Sequence, residues 1–318
     1  CSSSSSKRRD LSRQVASRRH QTIERLRAEK RAEKSRSIKN SANNFTYEVL
    51  LTSHKSNLTG ITADSDVSKI FESSNSSTCL LQPEATIGPY WVAGEYVRED
   101  VSEDQPGVPL YMSAQFLDYR SCEPVSDMYW EIWQANATGV YSGVVASNNG
   151  DGSDASNLNA TFLRGMVKTD ELGEATIRSI FPGHYAGRAI HVHVIGHTNA
   201  TLLPNNTIGT GTGASGDSTS TNIHIGQLFF DQDLIDQVEK THPYNTNLQN
   251  LTRNEEDFIF YGETTEGAPD PVFEYVLLGE DVTDGIFAWV TVGLDKGADH
   301  SDQEIAASTL TEDGAVAN

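Results

Sequence analysis

The sequence predicts a mainly β fold, an antiparallel β-sandwich with long loops and a basic N-terminal arm. Three observations predict it. From about residue 78 onward, short β-branched or aromatic runs are separated by turn residues such as Gly, Pro, Asn and Asp. In that region DQDLIDQVEK (231–240) is the only convincing helical pattern, and strands and helices do not alternate regularly. This combination is typical of antiparallel sheets that lie face to face.

Residues 1–60 are predicted to be a basic, polar arm or a pro-segment. They carry 14 of the 24 Lys and Arg residues, against five acidic residues. RHQTIERLRAEKRAEKSRS is rich in helix formers but has no apolar stripe. Dibasic pairs such as Lys7-Arg8 fit a pro-segment that is removed by processing, and an uncleaved basic tail fits them equally well. A terminal Cys before a serine tract also resembles a bacterial lipoprotein start.

Residues 61–300 are predicted to form the folded domain, and residues 301–318 a flexible acidic tail. The Gly/Ser/Thr-rich segment 207–221 is expected to be a mobile loop that lies over a site. The strongest strand patterns are YWEIWQA (129–135), ATIRSIF (175–181), RAIHVHVIG (188–196), IHIGQLFF (223–230) and GIFAWVTVGL (285–294).

The part of the chain after the arm is strongly acidic. Subtracting the arm's 14 basic and five acidic residues from totals of 24 and 44 leaves 10 and 39, a formal net charge of −29 for residues 61–318. Such a charge repels phosphate backbones, so nucleic acid is not expected as a partner. No apolar run approaches the roughly 18 residues that span a membrane, so no membrane partner is expected either.

Two features predict a secreted, glycosylated protein. N-x-S/T sequons occur eight times, roughly twice as often as chance would give. Of the three cysteines, Cys79 and Cys122 are the natural pair in an oxidising compartment, and two buried free thiols are the alternative. The sequons lie at Asn44, Asn57, Asn75, Asn136, Asn159, Asn199, Asn205 and Asn250.

The candidate functional site lies in GHYAGRAIHVHVIGH, residues 183–197, which holds four histidines, one tyrosine and one arginine. On a strand, His191 and His193 point to one face while their apolar neighbours point to the other. Two imidazoles side by side are half of a metal site. The Fe(II) facial triad needs a carboxylate that this H-x-H lacks. Tyr185 offers instead a hard, anionic phenolate, which favours Fe(III).

The sequence resembles the intradiol ring-cleavage dioxygenases, in particular their secreted fungal branch. The resemblance runs through four blocks in order, over about residues 79–295. These blocks are CLLQPEATIGPYWVAGEYVRED (79–100), YWEIWQANATGVYSGV (129–144), FLRGMVKTDELGEATIRSIFPGHYAGRAIHVHV (162–194) and HIGQLFFD (224–231).

The resemblance implies an iron(III) site with two Tyr and two His ligands. The first family tyrosine matches Tyr141 in WQANATGVYSG, the second matches Tyr185 in the P-G-x-Y turn, and the H-x-H pair matches His191 and His193. The other two family positions, an arginine three residues before the first histidine and a glutamine in a later strand, match Arg188 and Gln227.

The expected function is cleavage of a catechol-type ring by O2 to a muconate-type product, with Tyr185 the more labile ligand. Arg188 would stabilise negative charge on the ring. Gln227 would either orient a neighbouring side chain or have a purely structural role in which its own hydrogen-bonding groups are satisfied. A non-catalytic protein that binds iron or a catechol on the same fold is the alternative, and a wall protein with a relic site is a third reading. The identity of the catechol and the oligomeric state do not follow from the sequence.

Overall fold

The computed structural model describes residues 44–73, 79–208, 220–311 and 313–318, and these contain eleven β-strands and four α-helices. The strands are β1 (Val92–Ala93), β2 (Pro109–Asp118), β3 (Tyr129–Trp133), β4 (Arg164–Lys168), β5 (Glu174–Ile180), β6 (His191–Thr198), β7 (Thr221–Phe229), β8 (Glu274–Leu277), β9 (Ile286–Leu294), β10 (Ser308–Thr311) and β11 (Gly314–Ala317). The helices are α1 (Asn44–Leu51), α2 (Val67–Ser73), α3 (Gln232–Val238) and α4 (Phe258–Glu263). The mainly β class is confirmed, and all five strong strand patterns and the predicted helix are present.

The first sheet has the order β5-β2-β9-β8 and is mixed, which differs from the antiparallel pairing predicted. β2 pairs with β9 in parallel over nine residues, from Leu110 opposite Ile286 to Asp118 opposite Leu294. The other two pairings of this sheet are antiparallel. A parallel pair requires a long crossover connection, and here the chain between the two strands builds the whole second sheet.

The second sheet has the order β4-β3-β6-β7 and is antiparallel throughout. Its register places one row of residues directly across all four strands. In that row Arg164 lies opposite Trp133, Trp133 opposite His193, and His193 opposite Gln227. Because directly opposed residues of a sheet point to the same face, all four side chains face the same side.

The two four-stranded sheets share one hydrophobic cluster, which is the main core. Complete burial of one large apolar side chain stabilises the fold by about 1.5–3 kcal/mol. Val192 and Val194 of β6 point into this cluster, so the predicted division of the H-x-H strand into an apolar face and a histidine face is confirmed. Members from both sheets include Leu110, Met112, Phe116, Trp130, Ile132, Val192, Val194, Ala288 and Val292.

A second cluster covers the opposite face of the second sheet. It joins Trp133, Ile195 and Ile225 to the segment around Trp91 and to Tyr141. The histidine face of β6 therefore lies beneath a layer of loops, rather than in solvent. This layer is what buries the candidate site.

A small third sheet, β1-β10-β11, corrects the expectation of a flexible tail over residues 301–318. β10 pairs with β1 in parallel and with β11 as an antiparallel hairpin. The hydroxyl of Ser308 also donates to the carbonyl of Gly143 at 2.6 Å. These contacts hold the segment against the domain although its sequence is rich in small and polar residues.

The N-terminal boundary at residue 60 is also different in the structure. Residues 1–43, including the dibasic pairs, lie outside the described residues. α1 packs on the domain through Val49, and Thr46 is fully buried. His54 hydrogen-bonds to Asp231 and Asp270 at 2.5 and 2.9 Å. The described part of the predicted arm therefore belongs to the folded domain.

Cys79 and Cys122 form a disulfide, with their Cα atoms 5.4 Å apart. The segment 207–221 is the loop expected to lie over a site, and its residues 209–219 lie outside the described residues. Within the described residues, no helix has both the length and the apolar character needed to span a bilayer.

Candidate metal centre

His191 and His193 present two nitrogen atoms to the same point beneath the loop layer. Both rings are 2% exposed, and their Nε2 atoms are 3.1 Å apart. The Nδ1 of His191 lies 2.6 Å from the carbonyl oxygen of Ala189. Because a carbonyl only accepts, Nδ1 carries the proton and Nε2 of the neutral ring keeps its lone pair. A carbonyl on the far nitrogen is the usual way in which a protein orients a metal-binding histidine.

The ring of His193 is fixed by its neighbours on both sides. It stacks on Trp133, its cross-strand neighbour, with ring centroids 4.6 Å apart and an angle of 6° between the planes. Gly88 covers the ring from the loop layer with φ of +76°, and a Cβ there would lie 3.1 Å from Cε1 of His193. The aromatic strand YWEIW and the glycine after Ile87 thus set the orientation of this imidazole.

Tyr141 enters the site from the loop that follows β3. Its backbone is held by two asparagines: Asn149 accepts from the Tyr141 N–H at 2.7 Å and donates to its carbonyl at 2.8 Å, and Asn157 donates to the same carbonyl at 2.9 Å. The phenol is 1% exposed, and its hydroxyl has no hydrogen bond within the described residues. A buried hydroxyl without a hydrogen bond is costly, which points to a missing ligand.

Tyr185 enters from the P-G-x-Y turn before β6, and its hydroxyl lies 3.4 Å from Nε2 of His191. Its ring contacts that of Tyr141 edge-on at 5.5 Å. The two tyrosine loops touch at Gly139, which has φ of +81°. A Cβ there would lie 2.1 Å from the carbonyl oxygen of His184, so no other residue fits without separating the loops.

Burial makes all four groups neutral in the absence of a cation. It lowers the pKa of His191 to about 3, with a further contribution from the charge of Arg188, and it lowers the pKa of His193 well below its usual value. Burial also raises the pKa of Tyr185 to about 12 and that of Tyr141 well above 10. The site therefore holds two imidazole lone pairs and two phenols whose protons must leave before they can act as anionic ligands.

The four side chains fit a metal ion of high charge. Donor atoms that share one metal at roughly 2.0–2.1 Å lie roughly 3 Å apart, as the two Nε2 atoms and the Tyr185 hydroxyl do. Among the described residues, no group of three or more His, Cys, Asp or Glu side chains forms a metal site, so any set here must include the tyrosines. Phenolates are hard anionic donors, and the combination suits iron(III) better than a divalent ion.

Arg188 and Gln227 lie beside the four donors and hold each other. The Nη2 of Arg188 donates to Oε1 of Gln227 at 2.5 Å, and Nε2 of Gln227 donates to the Thr86 carbonyl at 3.1 Å. The Nε of Arg188 pairs with the buried carboxylate of Asp257 at 2.9 Å. The sequence left two roles open for Gln227, and this geometry combines them, since its hydrogen bonds both satisfy it and orient Arg188.

A cavity of about 760 Å³ opens above the site. Tyr185 and Arg188 lie in its floor, and Leu248 and Phe258, which are 98% and 69% exposed, lie in its wall. A substrate would therefore meet Tyr185 before the deeper Tyr141. A smaller cavity of about 340 Å³ near His54 lies away from these residues.

Several residues that build the site were not singled out from the sequence. Trp133, Asn149 and Asp257 each hold a site residue, but only the aromatic strand pattern around Trp133 gave a local signal. Asp257 lies 69 residues from Arg188, a distance over which a sequence pattern carries no contact information. The remaining buried histidines of the site region are hydrogen-bonded to carboxylates: His184 to Glu239, His197 to Glu131 and His224 to Glu84.

Comparison with known proteins supports this reading of the fold. The dioxygenase family model matches residues 88–201, which include the four candidate ligands and Arg188 but not Gln227. An intradiol ring-cleavage dioxygenase from Tetranychus urticae is 25% identical, with a TM-score of 0.54 over 69% of this chain and 96% of its own. The dioxygenase Tetur07g02040 is 26% identical, with a TM-score of 0.54 over 70% of this chain and 97% of its own. No curated protein matches the sequence significantly.

The structural likeness covers nearly the whole length of these two dioxygenases, and the residues matched by the family model include all four candidate ligands. The chain is therefore similar to the intradiol ring-cleavage dioxygenases, in sequence over residues 88–201 and in structure over about two thirds of its length.

Proposed function

We propose that this protein is a secreted, iron(III)-dependent dioxygenase that cleaves a catecholic ring between its two hydroxylated carbons to a muconate-type product. One observation carries the proposal. Two tyrosines and two histidines from three separate segments meet in a buried site, with an arginine beside them at the floor of an open cavity. Ferric iron would supply the Lewis-acidic centre at which the two catechol oxygens bind.

The protein's own residues divide the remaining work. His191, His193 and Tyr141 are nearly fully buried and would hold the ion. Tyr185 is partly exposed to the cavity, so its phenolate oxygen, which would also hold the ion, would be able to accept a proton from an entering catechol. The aromatic rings around the site exclude water from the side opposite the cavity.

Arg188 is the group placed to stabilise negative charge on the substrate ring. Its guanidinium lines the cavity and is held at Nε and Nη2, so it requires little reorganisation when charge develops. A preorganised donor of this kind contributes about 3–4 kcal/mol to a transition state. A protein that only bound iron or a catechol would not need such a group.

The proposed secretion rests on the disulfide and on the sequons. A Cys79–Cys122 disulfide is typical of oxidising compartments. Asn57 and Asn250 are exposed and could carry glycans. Asn136 is a poor acceptor, because its amide donates to Gln105 at 3.1 Å and its oxygen accepts from the Val140 N–H at 3.0 Å. Expression in a eukaryotic secretory host, followed by glycosidase treatment and peptide mapping, tests this part.

The catalytic part is tested by spectroscopy and oxygen uptake. Iron-loaded protein should show a broad visible absorption from tyrosinate-to-iron charge transfer and should consume O2 when catechol is added, with a muconate as the product. A Tyr185→Phe variant should lose most turnover, whereas Tyr119→Phe, on the surface away from the site, should match the parent. Iron and catechol binding without oxygen uptake would favour the non-catalytic alternative, and parent-like turnover by Tyr185→Phe would refute the assignment.

A further inference from the structure

We infer that Asp257 is a positioning residue that fixes the guanidinium of Arg188 over the catechol site. The inference rests on the proposed function. Asp257 is 0% exposed and precedes α4. Its Oδ2 accepts from Nε of Arg188 at 2.9 Å and from the backbone N–H of Ala189 at 2.6 Å. A buried carboxylate that pairs with a guanidinium through its Nε fixes both the position and the plane of the group.

Arg188 is held on its other side by Gln227, so the guanidinium is fixed at two of its three nitrogen atoms. The remaining nitrogen, Nη1, has no hydrogen bond to the described residues, and Arg188 lies in the floor of the cavity. Asp257 and Gln227 therefore direct the unused donors of Arg188 toward the space that a substrate would occupy. The side-chain hydrogen bonds of both partners go to residues other than the four candidate metal ligands.

The second oxygen of Asp257 connects Arg188 to α4. Oδ1 accepts from the N–H groups of Ile259 and Phe260 at 2.7 and 3.2 Å and so caps the helix. The next residue, Phe258, lies in the cavity wall, with its ring centroid 5.9 Å from the Arg188 guanidinium carbon. The carboxylate of Asp257 thus fixes the start of α4, the position of Phe258 in the cavity wall and the position of Arg188.

Only a carboxylate satisfies this arrangement. Four donors converge on Asp257: two backbone N–H groups of α4, the N–H of Ala189 and the Nε of Arg188. Asparagine offers one acceptor oxygen, so Asp257→Asn must lose either the cap or the contacts to Arg188 and Ala189. Because Asn is as good an N-cap as Asp, we expect the cap to be kept and the arginine to be released.

The first test separates positioning from binding. We expect Asp257→Asn to keep the iron content, the visible band and the anaerobic affinity for catechol close to those of the parent, while kcat falls by about 10- to 100-fold. Asp257→Glu, which keeps the charge, should retain more of kcat than Asp257→Asn. The matched control is Asp236→Asn, which removes a similar carboxylate from Arg253 on the surface and should leave kcat unchanged.

A double-mutant cycle decides whether Asp257 acts through Arg188. In an Arg188→Ala background, Asp257→Asn should cause little further loss of kcat, because the group that it positions is gone. An equal loss in both backgrounds would overturn the inference. So would a parent-like kcat for Asp257→Asn, loss of iron from that variant, or equal kcat for the Asn and Glu variants. A parent protein that fails to consume O2 with catechol would refute the proposed function instead.

Discussion

The buried histidines of this protein form two groups that differ in their partners. Those outside the candidate site all contact a carboxylate: His54, His184, His197 and His224. His191 and His193 contact none within the described residues. The pKa follows the partner, since burial lowers that of His191 to about 3 whereas two aspartates overcome burial and raise that of His54 to about 10.

Under the proposed function, this difference is what a metal-binding histidine requires in an acidic protein. At His54 and His184, the carboxylate partners raise the pKa of a buried imidazole despite its burial, and the protonated ring has no lone pair to offer a metal. The candidate site keeps carboxylates away from its two histidines and surrounds them with aromatic rings and a carbonyl. In the proposed function, the negative charge that the iron needs would come from the phenols, which would lose their protons when the ion binds.

The largest expected effect comes from comparing the removal of one histidine of the candidate site with the removal of one carboxylate-paired histidine. His193→Ala should lower the iron content of purified protein to about a tenth of the parent's or less and abolish oxygen uptake, because it removes a proposed ligand and not a group that merely supports one. His224→Gln should keep both, because His224 is a buried partner of Glu84. Metal analysis after iron loading checks this. If both variants lost iron equally, the division into two groups would have no functional meaning.

A carboxylate can also be introduced into the site. Gln227→Glu places a negative charge against Arg188, which Gln227 now contacts through an amide oxygen. We expect iron to remain bound while kcat falls about 10- to 100-fold, because the guanidinium is neutralised by its new neighbour. Gln237→Glu, exposed on α3, adds the same charge elsewhere and serves as the control. An unchanged kcat for Gln227→Glu would argue against a charge-stabilising role for Arg188.

The smallest effect concerns stability at His54. The pKa is raised in the folded state, so the charged histidine contributes stability that is fully present below pH of about 6.5 and is lost as the pH rises through about 10. His54→Gln should lower Tm by on the order of 5 °C at pH 6.5. The gap to the parent should shrink as the pH approaches 10. Thermal unfolding over this pH range measures it, with Arg120→Gln at an exposed ion pair as the control. A constant gap would show that packing, and not charge, is what His54 contributes.

The sequence predicted the parts of this structure that depend on local pattern. Alternation placed His191 and His193 on one face and Val192 and Val194 on the other, and the structure agrees. The parallel pairing of β2 with β9 was missed because more than 160 residues separate the two strands.

The C-terminal hairpin was missed for a related reason. Its stability comes from distant partners in β1 and the Tyr141 loop rather than from its own composition. The sequence did not predict the role of Asp257 for the same reason, since an N-cap aspartate is common and nothing local indicates its pairing with Arg188.

The C-terminal hairpin has a practical consequence for handling the protein. Ser308 and Ala315 hydrogen-bond to Gly143 and Asn159, which lie in the same loop as Tyr141. A truncation or fusion that disturbs this hairpin would therefore remove hydrogen bonds that hold the loop of Tyr141, although Tyr141 is far away along the chain. Purification tags are better placed where they leave this hairpin free to close.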